Sequence, residues 1–410
     1  MKKKIMVIPG AKAQIPLICK LQEERYCVVC VNPYKDSPAF PYADICEQGD
    51  ILDREFCLDV AKRHEVIAVL SDECDIAMPT VAYVSEKLGL PSIGSKLAAL
   101  YTNKYLMREF CREHAMPYPK YRQCRSAGEA VAFFRNLEKK KMIIKPLDSN
   151  SSRGVFTIVS EEMVEPHFAQ AIVFSKVNQA VLCEEYIEGT EFTVDGVVVN
   201  GKHYSLAISK KKHYAYNPNI ACELYFSEED EEYDYVRLRE QNDRFVEMSG
   251  LPFGFTHAEY KYNGKEFVLI EIGARGGGNF ISSHIVPNLT GIDNYKLLLE
   301  GTLGAPQLPG EHIKSVDAAG KCAVLKFWDV QGNGGKVVRV DGEDILKNLP
   351  QIVLYEFQFK PGDIIHKAEN DSARVGFYIA VAKSREELDR LILKIEENVC
   401  IVLEGEDVRN

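Results

Sequence analysis

Phe267-Val268-Leu269-Ile270-Glu271-Ile272-Gly273-Ala274-Arg275-Gly276-Gly277-Gly278-Asn279 is the stretch on which the fold turns. Its first four residues are apolar and read as a buried strand, with Glu271 directly behind them. Asn263-Gly264, just upstream, is a strong hairpin signal between two β-rich runs, and the partner run carries Glu259. A two-residue Asn-Gly turn would pair positions summing to an odd number and set the two glutamates on opposite faces. An odd-length loop centred near Lys265 sets them on one face, nearly opposite each other, and that is the expectation. Two carboxylates so placed repel unless a cation lies between them; a hard divalent cation shared with phosphate oxygens suits the pair. The bland alternative, two solvent-facing strand glutamates, fits poorly with the core-like run before Glu271. The glycines after Ala274 allow a tight backbone path, and the planar fork of Arg275 suits phosphate or carboxylate oxygens.

Upstream lie four further features. Lys104 falls in Tyr101-Thr102-Asn103-Lys104-Tyr105, and Lys145 ends the strand-like Met142-Ile143-Ile144-Lys145 before Pro146 forces a turn. Either lysine alone reads as surface decoration, since lysine is rarely buried without a partner. The loop Asp148–Val155 contains Ser151, Ser152 and Gly154, small enough for backbone N–H groups to approach an anion, although such runs are commonly plain loops. Cys183–Val194 is a strand edge meeting a turn. It offers backbone groups to a purine ring and Glu191 to ribose hydroxyls.

In order and spacing these features resemble the ATP-grasp superfamily over roughly residues 1–305, and more loosely through the tail. The Glu271-Ile272-Gly273-Ala274-Arg275 wording is similar to that of L-amino-acid ligases, which form dipeptides. The resemblance implies an α/β and α+β chain. A Rossmann-like N-terminal domain (1–95) precedes a two-subdomain ATP-grasp fold (96–305) and a small C-terminal α/β lid domain (306–410). It implies that Lys104 and Lys145 contact ATP phosphates, with Ser151, Ser152 and Gly154 closing over them. Glu184 and the backbone of Glu185 and Ile187 would read the adenine, and Glu191 would hold the ribose. Glu259 and Glu271 would ligate Mg²⁺, or Mn²⁺ in its place, and Arg275 would face the reacting groups. Many members carry asparagine two residues after the second carboxylate. Gly273 stands there instead, so a water or Asn279 would replace that ligand.

The implied activity is ATP-dependent joining of a small-molecule carboxylate to an amine through an acyl phosphate, in the cytoplasm, by a chain the resemblance suggests is a homodimer. Two other readings stay open: a purine-pathway-like enzyme activating bicarbonate or formate, and a non-catalytic ATP-binding regulator. Lys210-Lys211-Lys212 reads by default as a solvated charge run, with a reach to ATP or over the substrate as the alternative; His213, His257 and His284 read as structural histidines, and Arg374 as a substrate contact from the tail.

Bulk properties agree with a small-molecule enzyme. A formal charge of −10 over 410 residues argues against a general nucleic-acid partner. No run approaches the roughly 20 apolar residues that span a bilayer, and Pro9-Gly10 ends the first apolar run too early for a signal-peptide core. The twelve cysteines are scattered singly apart from Cys27 and Cys30, which a strand points to opposite faces, so buried thiols are expected rather than a zinc site. Residues 1–95 show a βαβ rhythm: strands at Ile5–Ile8, Cys27–Val31 and Val66–Leu70, helices near 14–24 and 76–88. The tail promises strands at Ala323–Trp328 and Gly376–Val381 and a final helix opened by a Ser384–Glu387 capping box.

Overall fold

Residues 2–148, 153–175, 179–305 and 320–405 are described by a computed structural model of the chain. Four parallel strands, β1 (Lys4–Val7), β2 (Cys27–Asn32), β3 (Ile45–Gln48) and β4 (Val66–Leu70), form the first sheet in the order β3-β2-β1-β4. Side chains alternate between its faces, as the period of two demands. Ile5 and Val7 pack with Leu17 and Leu21 of the helix Ile15–Glu23. Met6 and Ile8 pack with Cys57, Val60 and Val84 from the helices Arg54–Arg63 and Met78–Leu88. Burial on both faces is why β1, β2 and β4 are almost wholly apolar. The Rossmann-like expectation therefore stands. Strand β3, an edge with only partial burial, and the helix after it lacked that apolar signature.

A small antiparallel sheet follows, with order β5-β8-β6-β7: β5 (Tyr121–Cys124), β6 (Met142–Pro146), β7 (Phe156–Ile158) and β8 (Val181–Glu185). The helices Ala127–Asn136 and Val164–Ile172 cover one of its faces. The other sheet is long and mostly antiparallel. It takes β9 (Thr190–Val199), β10 (Lys202–Tyr214), β11 (Asn217–Ser227), β12 (Gly254–Tyr262) and β13 (Phe267–Gly273) from the middle of the chain. From the tail come β14 (Cys322–Phe327), β15 (Gly335–Asp341), β16 (Ile352–Phe357), β17 (Ile364–Ile365), β18 (Gly376–Ala382) and β19 (Cys400–Leu403). Of these, β14, β16 and β18 extend the large sheet to eight strands, β13-β12-β9-β10-β11-β14-β18-β16, while β17-β15-β19 form a separate layer. The last helix, Arg385–Asn398, begins as expected, with the Ser384 hydroxyl accepting from the Glu387 amide.

The β12–β13 hairpin corrects the sequence reading in one respect. Its connection is even, Asn263–Glu266, and the strands leave it with Tyr262 opposite Phe267. By parity alone Glu259 and Glu271 would face opposite ways. A β-bulge at Ile270 inserts the odd residue, so that Tyr260 pairs with Leu269 but Glu259 pairs with Glu271. The core records the step: Phe267, Leu269, Ile272 and Ala274 all lie in one cluster, with a three-residue stride across the bulge.

Candidate functional site

Between the sheets opens a cleft of about 330 Å³. Every predicted site residue within the described set except Gly154 lines it: Lys104, Lys145, Glu184, Glu185, Ile187, Glu191, Glu259, Glu271 and Arg275. Ser151 and Ser152 lie outside the described residues. Gly154 sits beside the cleft with φ +74, and a Cβ there would come within 2.7 Å of the Phe174 ring and 3.0 Å of Pro146. Only glycine fits that turn.

Lysines neutralise the carboxylate pair. Lys104 begins the helix Lys104–Glu113, whose N-cap Asn103 accepts from the amides of Tyr105 and Leu106. Its ammonium reaches Glu271 Oε1 at 2.7 Å. Lys211 bridges Glu191 Oε1 at 2.7 Å and Glu259 Oε1 at 2.8 Å. Burial opposes charge on Glu259, but Lys211 and His257 outweigh it and hold the carboxyl well below its ordinary range. His257 donates from Nδ1 to Asp195 Oδ1 at 2.9 Å and stands 3.8 Å from Glu259 through Nε2. Burial lowers its pKa, yet Asp195 raises it further, so the net shift is upward.

One helical turn beyond Lys104, Arg108 lies on the same face and is completely buried. It donates to Glu184 and to the carbonyl of Ile270, the bulge residue. Lys145 pairs with the other oxygen of Glu184. Desolvation alone would raise Glu184, but the two cations keep it below the ordinary carboxylate value. Its side chain therefore clamps Arg108 of the helix to Lys145 of β6. In the same segment, the Glu185 amide donates to the Lys120 carbonyl.

Arg275 is held from the turn that follows β4. Its Nε and Nη2 donate to Asp75 Oδ1 and Oδ2 at 2.9 and 2.7 Å. Just before Asp75, Asp72 accepts from the Gly276 amide and Glu73 from the Phe280 amide. All three acids follow β4, at the carboxyl end of a parallel sheet, where α/β folds place ligands.

Comparison with known proteins agrees with this geometry. The ATP-grasp domain family matches residues 138–283. The family described as L-amino acid ligase C-terminal domain 2 matches residues 330–404. Dapdiamide A synthase of Enterobacter agglomerans is 22% identical over 306 residues, covering 74% of this chain and 72% of that protein. The chain carries an ATP-grasp domain and is an ATP-dependent ligase. The ligase is also 32% identical to D-alanine–D-alanine ligase of Delftia acidovorans over 131 residues, 30% of this chain and 39% of that one. Among solved structures, its fold matches L-amino acid ligase from Bacillus licheniformis with a TM-score of 0.78 at 19% identity, covering 98% and 99% of the two chains. Phosphoribosylglycinamide synthetase from Anaerococcus prevotii matches with a TM-score of 0.75 at 17% identity, over 98% and 100%.

Sequence reasoning left several cleft residues of the ligase undecided or unnamed. Lys211 sits in a lysine run whose neighbours turn elsewhere, Lys210 to Asp230 and Lys212 to Glu223. Strand alternation put one lysine of the three on the cleft face. His213 and His257 line the cleft, His257 buried and bonded to Asp195, while His284 turns to Ser283. Arg374 also lines it, stacked 3.8 Å over the Phe327 ring and paired with Asp371. Asp75 and Glu73 had a usable signal, acidic residues directly after β4. Arg108 and Asp195 had none.

Proposed function

We propose that the ligase joins an amino acid to an amine or to a second amino acid, releasing ADP and phosphate. The observation that carries this is the convergence of Lys104, Lys145, Lys211, Arg275 and the Glu259–Glu271 pair on one cleft, beside an unpaired acid. Among the described residues Glu73 forms no ion pair; burial and Asp72 push its carboxyl well above the usual range. A substrate ammonium would supply the missing cation. The tail's likeness to L-amino acid ligases supports the same branch.

Phosphoryl transfer to a carboxylate needs positioning and charge neutralisation rather than a protein nucleophile. Lys104 and Lys145 are assigned to the ATP phosphates, with Lys211 as a third cation and Ser151, Ser152 and Gly154 as the covering loop. Glu184 holds Lys145 and Arg108 in place, Glu191 takes the ribose, and Glu185 and Ile187 present backbone to the adenine. Because the Glu185 amide is committed to Lys120, the donor on that edge falls to Ile187. Arg275 is assigned to the carboxylate and the acyl phosphate formed from it.

Glu259 and Glu271, directly opposed oxygen donors, fit a hard cation such as Mg²⁺. Among the described residues no third His, Cys, Asp or Glu joins a metal-binding group, so phosphate oxygens and water would complete the shell. When bound, Mg²⁺ supplies neutralisation of the phosphate charge. Gly273 has no side chain to offer, and Asn279, at the exposed rim of the cleft, is the protein's remaining candidate. We divide the chain functionally at 95/96 and 305/306 and assign it to the cytoplasm. All twelve cysteines are free, which supports a reducing compartment. Among the described residues no helix is long and apolar enough to cross a membrane.

Phosphate release from MgATP, measured against amino acids and small acids singly and in pairs, tests the reading. Release stimulated by particular pairs, with a new amide by mass spectrometry, is the expected result. Stimulation by bicarbonate or formate would move the ligase to a purine-like branch, which the likeness to phosphoribosylglycinamide synthetase keeps in view. ADP binding with no stimulated release would favour a regulator.

A further inference from the structure

A guanidinium carries five N–H groups, and which of them face a substrate decides what it can hold. In Arg275 three are already committed. Nε and Nη2 donate side by side to the two oxygens of Asp75, and Nη1 donates to the Gly276 carbonyl at 2.8 Å. One N–H remains on each terminal nitrogen. We propose that Asp75 is a positioning residue for the ligation reaction: it fixes the side-on edge of Arg275 and so turns the terminal nitrogens toward the reacting oxygens. This rests on the reading of Arg275 given above.

Two independent features of the fold serve this contact. The first is Gly273. A Cβ on it would stand 2.4 Å from Asp75 Oδ1. The Cβ of the asparagine that resembling proteins carry at this point would collide with the Asp75 carboxylate where it stands. The side chain missing from the carboxylate motif and the clamp on Arg275 occupy the same space.

The second feature is that the loop bearing Arg275 is anchored without Asp75. Asp72 accepts from the Gly276 amide at 3.1 Å, the Ser282 hydroxyl at 2.7 Å and the Tyr295 hydroxyl at 2.8 Å. Glu73 accepts from the Phe280 amide at 3.1 Å. These bonds hold Asn279 and Phe280 at φ 55° and 65°, in the left-handed region that non-glycine residues rarely adopt. Removing the Asp75 charge should leave the loop in place and release only the guanidinium. The role is thus orientation rather than folding. An arginine free to swing loses the oriented donors that make such a group effective.

The test compares wild type, Asp75→Asn, Arg275→Lys and the double variant. Phosphate release from MgATP is read with an equimolar mixture of the twenty amino acids, and ADP affinity by calorimetry. We expect Asp75→Asn to lower kcat about 100-fold, with KM for ATP, Kd for ADP and the melting temperature near wild type. In the Arg275→Lys background the same change should alter kcat less than about threefold, because nothing remains to be oriented. If Asp75→Asn does not fold, Asp75→Ser supplies the same arm. Near-normal kcat in Asp75→Asn beside a disabled Arg275→Lys would overturn the positioning role and leave the Arg275 assignment standing. Fully additive losses would also overturn it. A harmless Arg275→Lys would remove the Arg275 assignment and this proposal with it.

Discussion

Glu191 and Glu259 share one buried ammonium, that of Lys211, and this arrangement makes a pH-dependent prediction. Burial disfavours the charged form of Glu191, but Lys211 outweighs it and holds the group well below its ordinary 4.5. A carboxyl depressed in this way contributes stability that is present above about pH 4.5 and is lost as the pH falls toward the folded value. Lys211→Met removes the cation and leaves two adjacent carboxylates. Its melting temperature should therefore fall most at neutral pH, with the deficit shrinking toward pH 4; a deficit that grows on acidification would contradict the assignment. For turnover, Glu271→Gln should cost on the order of 10²–10³ in kcat, read from initial rates at saturating ATP, and near-normal turnover would sink the metal assignment. Glu271 was legible in the sequence because a carboxylate directly behind an apolar run demands an explanation, and the Asn263-Gly264 hairpin signal led from it to Glu259. Lys211 was not, since three consecutive lysines look alike until strand pairing decides which one faces Glu259.

The helix Lys104–Glu113 and the bulged strand β13 act as one element. Asn103 caps the helix, Lys104 meets Glu271, and Arg108 caps the bulge through the Ile270 carbonyl while holding Glu184. Removing one partner of a buried ion pair leaves the other charge uncompensated and typically costs about 3–5 kcal/mol. We expect Arg108→Met to lose stability of that order in a urea titration, and a loss under about 1 kcal/mol would show that the clamp is dispensable. The hairpin itself could be read from Asn263-Gly264 and its flanking runs. The bulge could not, because an inserted residue leaves no mark when the residues around it, Leu269, Ile270 and Ile272, are all apolar. Arg108 was hidden for a related reason: its partner Glu184 is 76 residues away, and only the packing of the helix Lys104–Glu113 against β8 brings them together.

At the scale of the molecule, the tail completes the catalytic sheet. Strand β14 pairs along β11 from Glu223–Lys326 to Phe226–Ala323, and Phe377 and Ile379 of β18 share a core with Leu224 and Phe226. A chain ending at Ala305 would bare both that edge and that apolar face, a template for aggregation. It should elute as aggregates in size-exclusion chromatography, whereas a monodisperse, cooperatively melting fragment would show that the first 305 residues fold alone. The parallel N-terminal sheet was readable from its continuous apolar strands, and β14 and β18 were read as strands; that they join β11 was not, because pairing across a separation of about 100 residues has no local signal. The central claim is that this assembled cleft activates a carboxylate by phosphorylating it. It is tested most directly by supplying the substrate acid with ¹⁸O in its carboxylate and weighing the phosphate released. The account predicts one ¹⁸O in that phosphate, with ADP as the other product. Unlabelled phosphate, or AMP and pyrophosphate carrying the label instead, would contradict it.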